Sequence, residues 1–161
     1  MGANELSALL WHERELLDLL LFKLEEEQLL LAAGKSRWIQ HATREVEQVM
    51  ERIRIAGLAR SVEVAAVALD WKTDENASLR DIVAAAPPGA WFDIFEAHLT
   101  GMTIVTDEIK QVRDLNEQLL RQASRSTQET LSDIRSDTGT YDSHGDAGPV
   151  STSARLFDTR L

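Results

Sequence analysis

Two carboxylates are the first candidates for chemistry in this chain. Glu13 and Glu27 stand inside a leucine-rich run, Leu9 to Leu31, that reads LLWHERELLDLLLFKLEEEQLLL. On one helix their separation of fourteen positions corresponds to roughly 21 Å of rise. They are too far apart to share a proton or a metal ion. A carboxylate metal site in a helical bundle takes Glu and Glu-x-x-His from several helices, and no Glu-x-x-His occurs. His12-Glu13-Arg14-Glu15 lacks the second histidine that a zinc-protease helix needs. His41 and Glu45 are one turn apart, the spacing of a helix-surface pair, and His98 falls on an apolar stripe and reads as a packed histidine. Serines gather towards the C-terminus without Gly-x-Ser-x-Gly, and no glycine-rich phosphate loop is present. The absence of cysteine removes thiolate nucleophiles, disulfides and Cys-based metal sites. These patterns point to a protein that is not an enzyme and needs no metal and no cofactor. Glu13 and Glu27 then read as polar positions that fix helix register, facing Arg44 or Arg52 on the next helix. On that reading Glu27→Leu tightens or oligomerises the bundle.

The elements that would position these groups are helices. Leu6, Leu10, Glu13, Leu17, Leu20, Leu24, Glu27 and Leu31 follow at alternating steps of four and three, the spacing of a coiled-coil seam. Leu9, Leu16 and Leu30 widen the stripe. The first helix is expected over about Asn4–Ala33, closed by Gly34. Ser36 is expected to cap a second, over about Arg37–Leu69, with a stripe of Ile39, Ala42, Val46, Val49, Ile53 and Ala56. Gly57 marks a possible kink, and Val62 to Leu69 is unusually rich in Ala and Val. Ser78 to Asp81 resembles a capping box at the start of a short helix, which Pro87-Pro88-Gly89 stops. A third long helix is expected over about Trp91–Arg135, with Phe95, Met102, Val105, Ile109, Val112, Asn116 and Leu119 on one face. Trp38, Trp91 and Phe92 lie near helix starts, where they are expected to cap the core.

The expected fold is all-α: an elongated, coiled-coil-like antiparallel bundle of three long helices plus a short one. Residues 1–135 form the bundle, and 136–161, rich in Gly, Ser, Thr and Asp, form a flexible, disordered C-terminal tail. A net charge of −10 argues against nucleic acid, whose phosphates require Lys and Arg. No apolar run approaches the ~20 residues of a membrane span, and no targeting segment is visible, so a cytoplasmic protein without membrane insertion is expected.

What remains is an interaction protein. Tyr141, the one tyrosine, lies in the polar tail and is a candidate docking anchor. The Leu9–Leu31 pattern resembles the opening helix of the FlgN family of flagellar export chaperones. The Ser78-Leu79-Arg80 segment leading to Pro-Pro is similar to that family, as are Leu115-Asn116-Glu117-Gln118-Leu119-Leu120 and the tail motif Thr140 to Gly145. The resemblance implies a non-enzymatic chaperone of type III secretion. It would bind hook-associated proteins of the hook–filament junction as cargo, keep them from associating early, and deliver them to the flagellar export gate or its ATPase complex. Cargo would bind towards the C-terminal part, with Leu115, Asn116, Leu119, Leu120 and Leu131 in or near that surface. Tyr141 would match the family's tail tyrosine. A monomer or weak dimer is expected. The alternative is a structural coiled-coil adaptor that self-associates through the Leu6–Leu31 seam.

Overall fold

The computed structural model describes residues 2–137, and all regular structure among them is helical, with no strand. The helices are α1 (Gly2–Ala32), α2 (Ser36–Asp70), α3 (Leu79–Ala85) and α4 (Ala90–Asp137). No helix among them is long and apolar enough to cross a membrane. The segment Val62–Leu69 is helical, and α2 runs through Gly57 without a break.

The turn between α1 and α2 is built on Gly34. Its φ of +65° lies in the left-handed region, where a Cβ is costly. The amide of Lys35 donates to Leu30 O at 2.9 Å and that of Gly34 to Leu31 O at 3.1 Å, closing the end of α1. This corrects the expected cap of α2. Lys35, not Ser36, holds the N-cap position, and no side chain caps it. The tight turn runs straight into the helix, so residue 36 is never in the extended conformation a capping serine adopts.

At α3 the capping box forms. The Asp81 amide donates to Ser78 Oγ and the Ser78 amide to Asp81 Oδ2. Ala86 is extended, as the residue before Pro87 must be.

Residues 1–120 form one compact unit. Within it Gly2 stands against Ala66 and Val67, and Glu27 meets Thr43, so α1 and α2 are antiparallel. Ser7 meets His98 and Leu24 meets Asn116, so α4 runs parallel to α1 and antiparallel to α2. Two apolar clusters result. Leu6, Leu10, Val64, Val67, Ala68, Ile82, Val83 and Phe95 form the first. Leu20, Leu24, Val46, Val49, Val105 and Ile109 form the second. Both draw on α1, α2 and α4. Burying a side chain the size of Phe95 stabilises by about 1.5–3 kcal/mol.

Two seam positions differ from expectation: Leu31 is only half-buried, and Leu16 takes the place of Leu17. Leu16 is buried, whereas Leu17 is only half-buried. The inward line therefore steps Leu10, Glu13, Leu16, Leu20. Leu16 and Leu17 lie about 100° apart on the two sides of that line, and the exchange leaves its average spacing unchanged, since Glu13 to Leu20 is seven residues either way.

Residues 121–161 form the second unit. Its described part is the end of α4, in which residues 121–136 are all exposed. Most of the expected tail, 138–161, lies outside the described residues, Tyr141 among them.

Gly34→Ala is expected to lower stability by about 1 kcal/mol through backbone strain alone. Nothing lies within 4 Å of a Cβ placed there. A urea titration reads this as a lower midpoint at an unchanged slope.

Candidate partner-binding surface

Three buried polar groupings hold the helices of the first unit at fixed heights. Glu27 of α1 is 6% exposed and Asn116 of α4 is 2% exposed. Thr43 Oγ1 donates to Glu27 Oε1 at 2.7 Å. Asn116 Nδ2 donates to Leu24 O at 2.8 Å and to Glu27 Oε2 at 3.1 Å. One side chain from each long helix thus meets at a single carboxylate.

Glu13 forms the second grouping. Its partner is Arg60, whose Nη1 lies 3.2 Å from Glu13 Oε2. The approach is off the hydrogen-bonding direction, so the oxygen has an ion-pair partner and no hydrogen bond. Burial pushes the Glu13 carboxyl above its ordinary range, and the Arg60 guanidinium draws it partly back.

His98 forms the third. Its Nε2 lies 3.3 Å from Ser7 Oγ, and the Trp11 ring meets it edge-on at 5.0 Å. Burial pushes the imidazole below its ordinary value, and the nearby Arg14 charge acts in the same direction.

These partners replace the expected ones. Arg44 is exposed and donates to Gln40 O of its own helix, and Arg52 is exposed. The antiparallel pairing sets Glu27 level with Thr43 and Glu13 level with Arg60. Arg44 is one residue past Thr43 and so points about 100° away from α1. A sequence signal for Arg60 did exist. Ala56, Arg60 and Val64 repeat every four residues, which puts a charge on the inward line.

Trp91 stacks on Phe95 at 5.7 Å and, with Phe92, packs against the first cluster. Trp38 does not cap the core. It is 46% exposed, packs against His41 and Arg37, and lines a shallow apolar groove with Leu29 and Leu30. No group of three or more His, Cys, Asp or Glu side chains among the described residues is placed to hold a metal ion.

The residues expected at a partner surface divide into three kinds. Leu115 and Leu120 are 45% and 40% exposed, and Leu119 is half-buried. Asn116 lies beneath them, with its amide turned into the first unit. Leu131, in the second unit, is 55% exposed. By contrast Leu6, Leu10, Leu20 and Leu24 are spent within the chain on α2 and α4, so the Leu6–Leu31 seam is not open for self-association.

The described residues thus form an all-helical chain whose buried polar groups join helix to helix, with Leu115 and Leu120 facing outward on α4. A family model described as FlgN protein matches residues 1–149. The chain belongs to the FlgN family, and membership implies the general role of a flagellar export chaperone. No curated protein and no solved structure matches the chain.

Glu27→Leu is expected to destabilise by about 1–2 kcal/mol, because it strips the acceptor from Thr43 and Asn116. That reverses the sign that seam spacing alone suggests. Glu27→Gln, which keeps one acceptor, should cost less. Unfolding midpoints that rank the leucine variant above the parent would refute the hydrogen-bonded role.

His98 sets a pH dependence. Its folded pKa is below its unfolded one, so the unfolded chain binds more protons and stability falls as pH drops below about 6.5. Glu13, with a raised pKa, works the other way: its contribution is present at low pH and is lost as pH rises past its folded value. The decline in thermal midpoint from pH 7 to pH 5 should therefore be smaller in His98→Gln than in the parent, since the difference isolates His98.

Proposed function

We propose that this chain is a cytoplasmic chaperone for hook-associated flagellar proteins. On this reading it holds their terminal helices against α4 and hands them to the type III export gate or its ATPase complex. Residues 1–135 serve as the helical body and 136–161 as the tail. The observation that carries the reading is the exposure of Leu115 and Leu120, at 45% and 40%, on either side of the buried Asn116 on α4; Leu131, at 55%, is exposed in the second unit. Family membership supports the class of partner.

Cargo of this kind offers amphipathic helices that lack their assembly partners. Leu115 and Leu119 stand one turn apart, the i, i+4 spacing that anchors such a helix, and Leu120 flanks them across Asn116. Leu115, Leu119, Leu120 and Leu131 are the contacts in this proposal. Asn116 acts from below by fixing α4 to Glu27. Tyr141 is proposed to dock at the export apparatus. Delivery requires release, and a small leucine surface gives a low-area interface suited to it. A monomer or weak dimer fits the same requirement.

Co-expression with hook-associated proteins tests the reading. The full chain should co-purify with at least one of them. A chain carrying Leu120→Asp and Leu131→Asp together should lose that capture by tenfold or more, roughly the effect of losing 1.4 kcal/mol, while keeping its helical circular dichroism. Ending the chain after Ala123 should have the same effect, since residues 1–120 keep their own packing. Capture undiminished in both variants would remove α4 from the assignment. A parent chain that captures no hook-associated protein would sink the cargo reading itself.

A further inference from the structure

The second half of α2 is apolar on two opposite faces. One faces the core through Ala56, Val64, Val67 and Ala68. The other carries Ile55, Leu58, Val62 and Leu69, which are 54%, 59%, 69% and 80% exposed. At 100° per residue, Val62 points almost directly away from Arg60 and Val64, and Ile55 and Leu69 lie within about 20° of it. Ala59 and Ala66 fill the same strip and are exposed. The strip runs from Ile55 to Leu69, fifteen residues and about 21 Å of helix. The first half of α2 shows no such face: its outward positions are Arg37, Gln40, Arg44, Glu47, Gln48 and Glu51. None of the exposed leucines on α4 belongs to this strip.

Charges at the two ends of the strip indicate what covers it. Arg52 and Asp70 are eighteen residues apart, five full turns, so they stand on the same side of the strip. Both are exposed, and neither is paired among the described residues. A two-fold axis perpendicular to the helix sets same-side positions of two antiparallel copies against each other. Arg52 of one copy then lies beside Asp70 of the other, and the pair occurs twice. In that register Ile55 of one copy meets Ala66 and Leu69 of its mate, Leu58 meets Val62 and Ala65, and Val62 lies near the axis. The alanines allow close approach of the two helices. The strip is thus self-complementary in shape, and its Arg52 and Asp70 ends match in charge, as a two-fold interface requires.

We infer that the outer face of α2 is a homodimer surface, on which two copies of this chain pair antiparallel about Val62. Four turns of helix bury less than the roughly 1,600 Å² of a standard interface, so the dimer is weak and reversible. The inference stands independently of the cargo reading, because it uses neither α4 nor the tail.

Light scattering of the full chain over about 1 μM to about 1 mM tests it. The mass should rise from 18.0 kDa towards twice that value. Val62→Glu, at an exposed position, should hold the monomer across the series with unchanged helical circular dichroism. Arg52→Asp should weaken the dimer by about threefold or more, as expected for one exposed ion pair counted twice. Adding Asp70→Arg should restore it. A constant mass of 18.0 kDa overturns the inference, as does a dimer indifferent to Val62→Glu. So does a parent chain that stays monomeric while Val62→Glu abolishes capture of hook-associated proteins, which would assign the strip to cargo.

Discussion

The carboxylate of Glu27 sets the relative heights of the three long helices. Leucine stripes alone leave that height open. A helix whose apolar residues recur every three or four positions can slide by one repeat and still bury most of its face. A buried carboxylate cannot slide, because away from its donors it would cost several kcal/mol. Thr43 and Asn116 supply those donors from the two neighbouring helices. His98 with Ser7 lies nearer the start of α1, and Glu13 with Arg60 lies between. The apolar clusters occupy the intervals, and a shift of either neighbour along α1 would break polar groupings at more than one height.

The helices were legible in the sequence because periodicity is a local property. Each stripe, the Pro87-Pro88 stop and the Ser78 capping box depend on residues a few positions apart, and all four helices lie within a few residues of where the pattern puts them. The pairing of Glu13 with Arg60 is not local. It depends on the length and geometry of the Gly34 turn, which sets the level at which α2 passes α1. The same turn removed the cap from Ser36. Trp38 was misjudged because proximity to a helix start does not say which way the side chain points, and here it stands outside the core. The exposed leucines of α4 carry a sequence motif. The fact that Asn116 beneath them is engaged by Glu27 required coordinates.

The outer strip of α2 shows the same divide from the other side. Its sequence from Val62 to Leu69 is unusually rich in Ala and Val, which suits a helix with two apolar faces. A helix that is apolar on opposite sides packs in two directions. Only one direction is taken up among the described residues. A net charge of −10 counters the solubility cost of the other, since like-charged molecules resist non-specific association while a matched pair such as Arg52 and Asp70 still permits a specific one.

The end of α4 suits a different task. From residue 121 to 136 every side chain is exposed, so the segment gains little from burial. Thr127 and Thr130 hydroxyls bond back to the carbonyls of Ala123 and Ser126, a habit that competes with helix formation rather than supporting it. A helix held by so little is marginal in water. On the proposed function, a partner that covered Leu131 would supply the missing burial, and part of the gain would go into fixing the helix itself. The net affinity would then be lower than the contact area alone would give. Reversible capture, as proposed for this chain, would be served by that balance between contact and ordering.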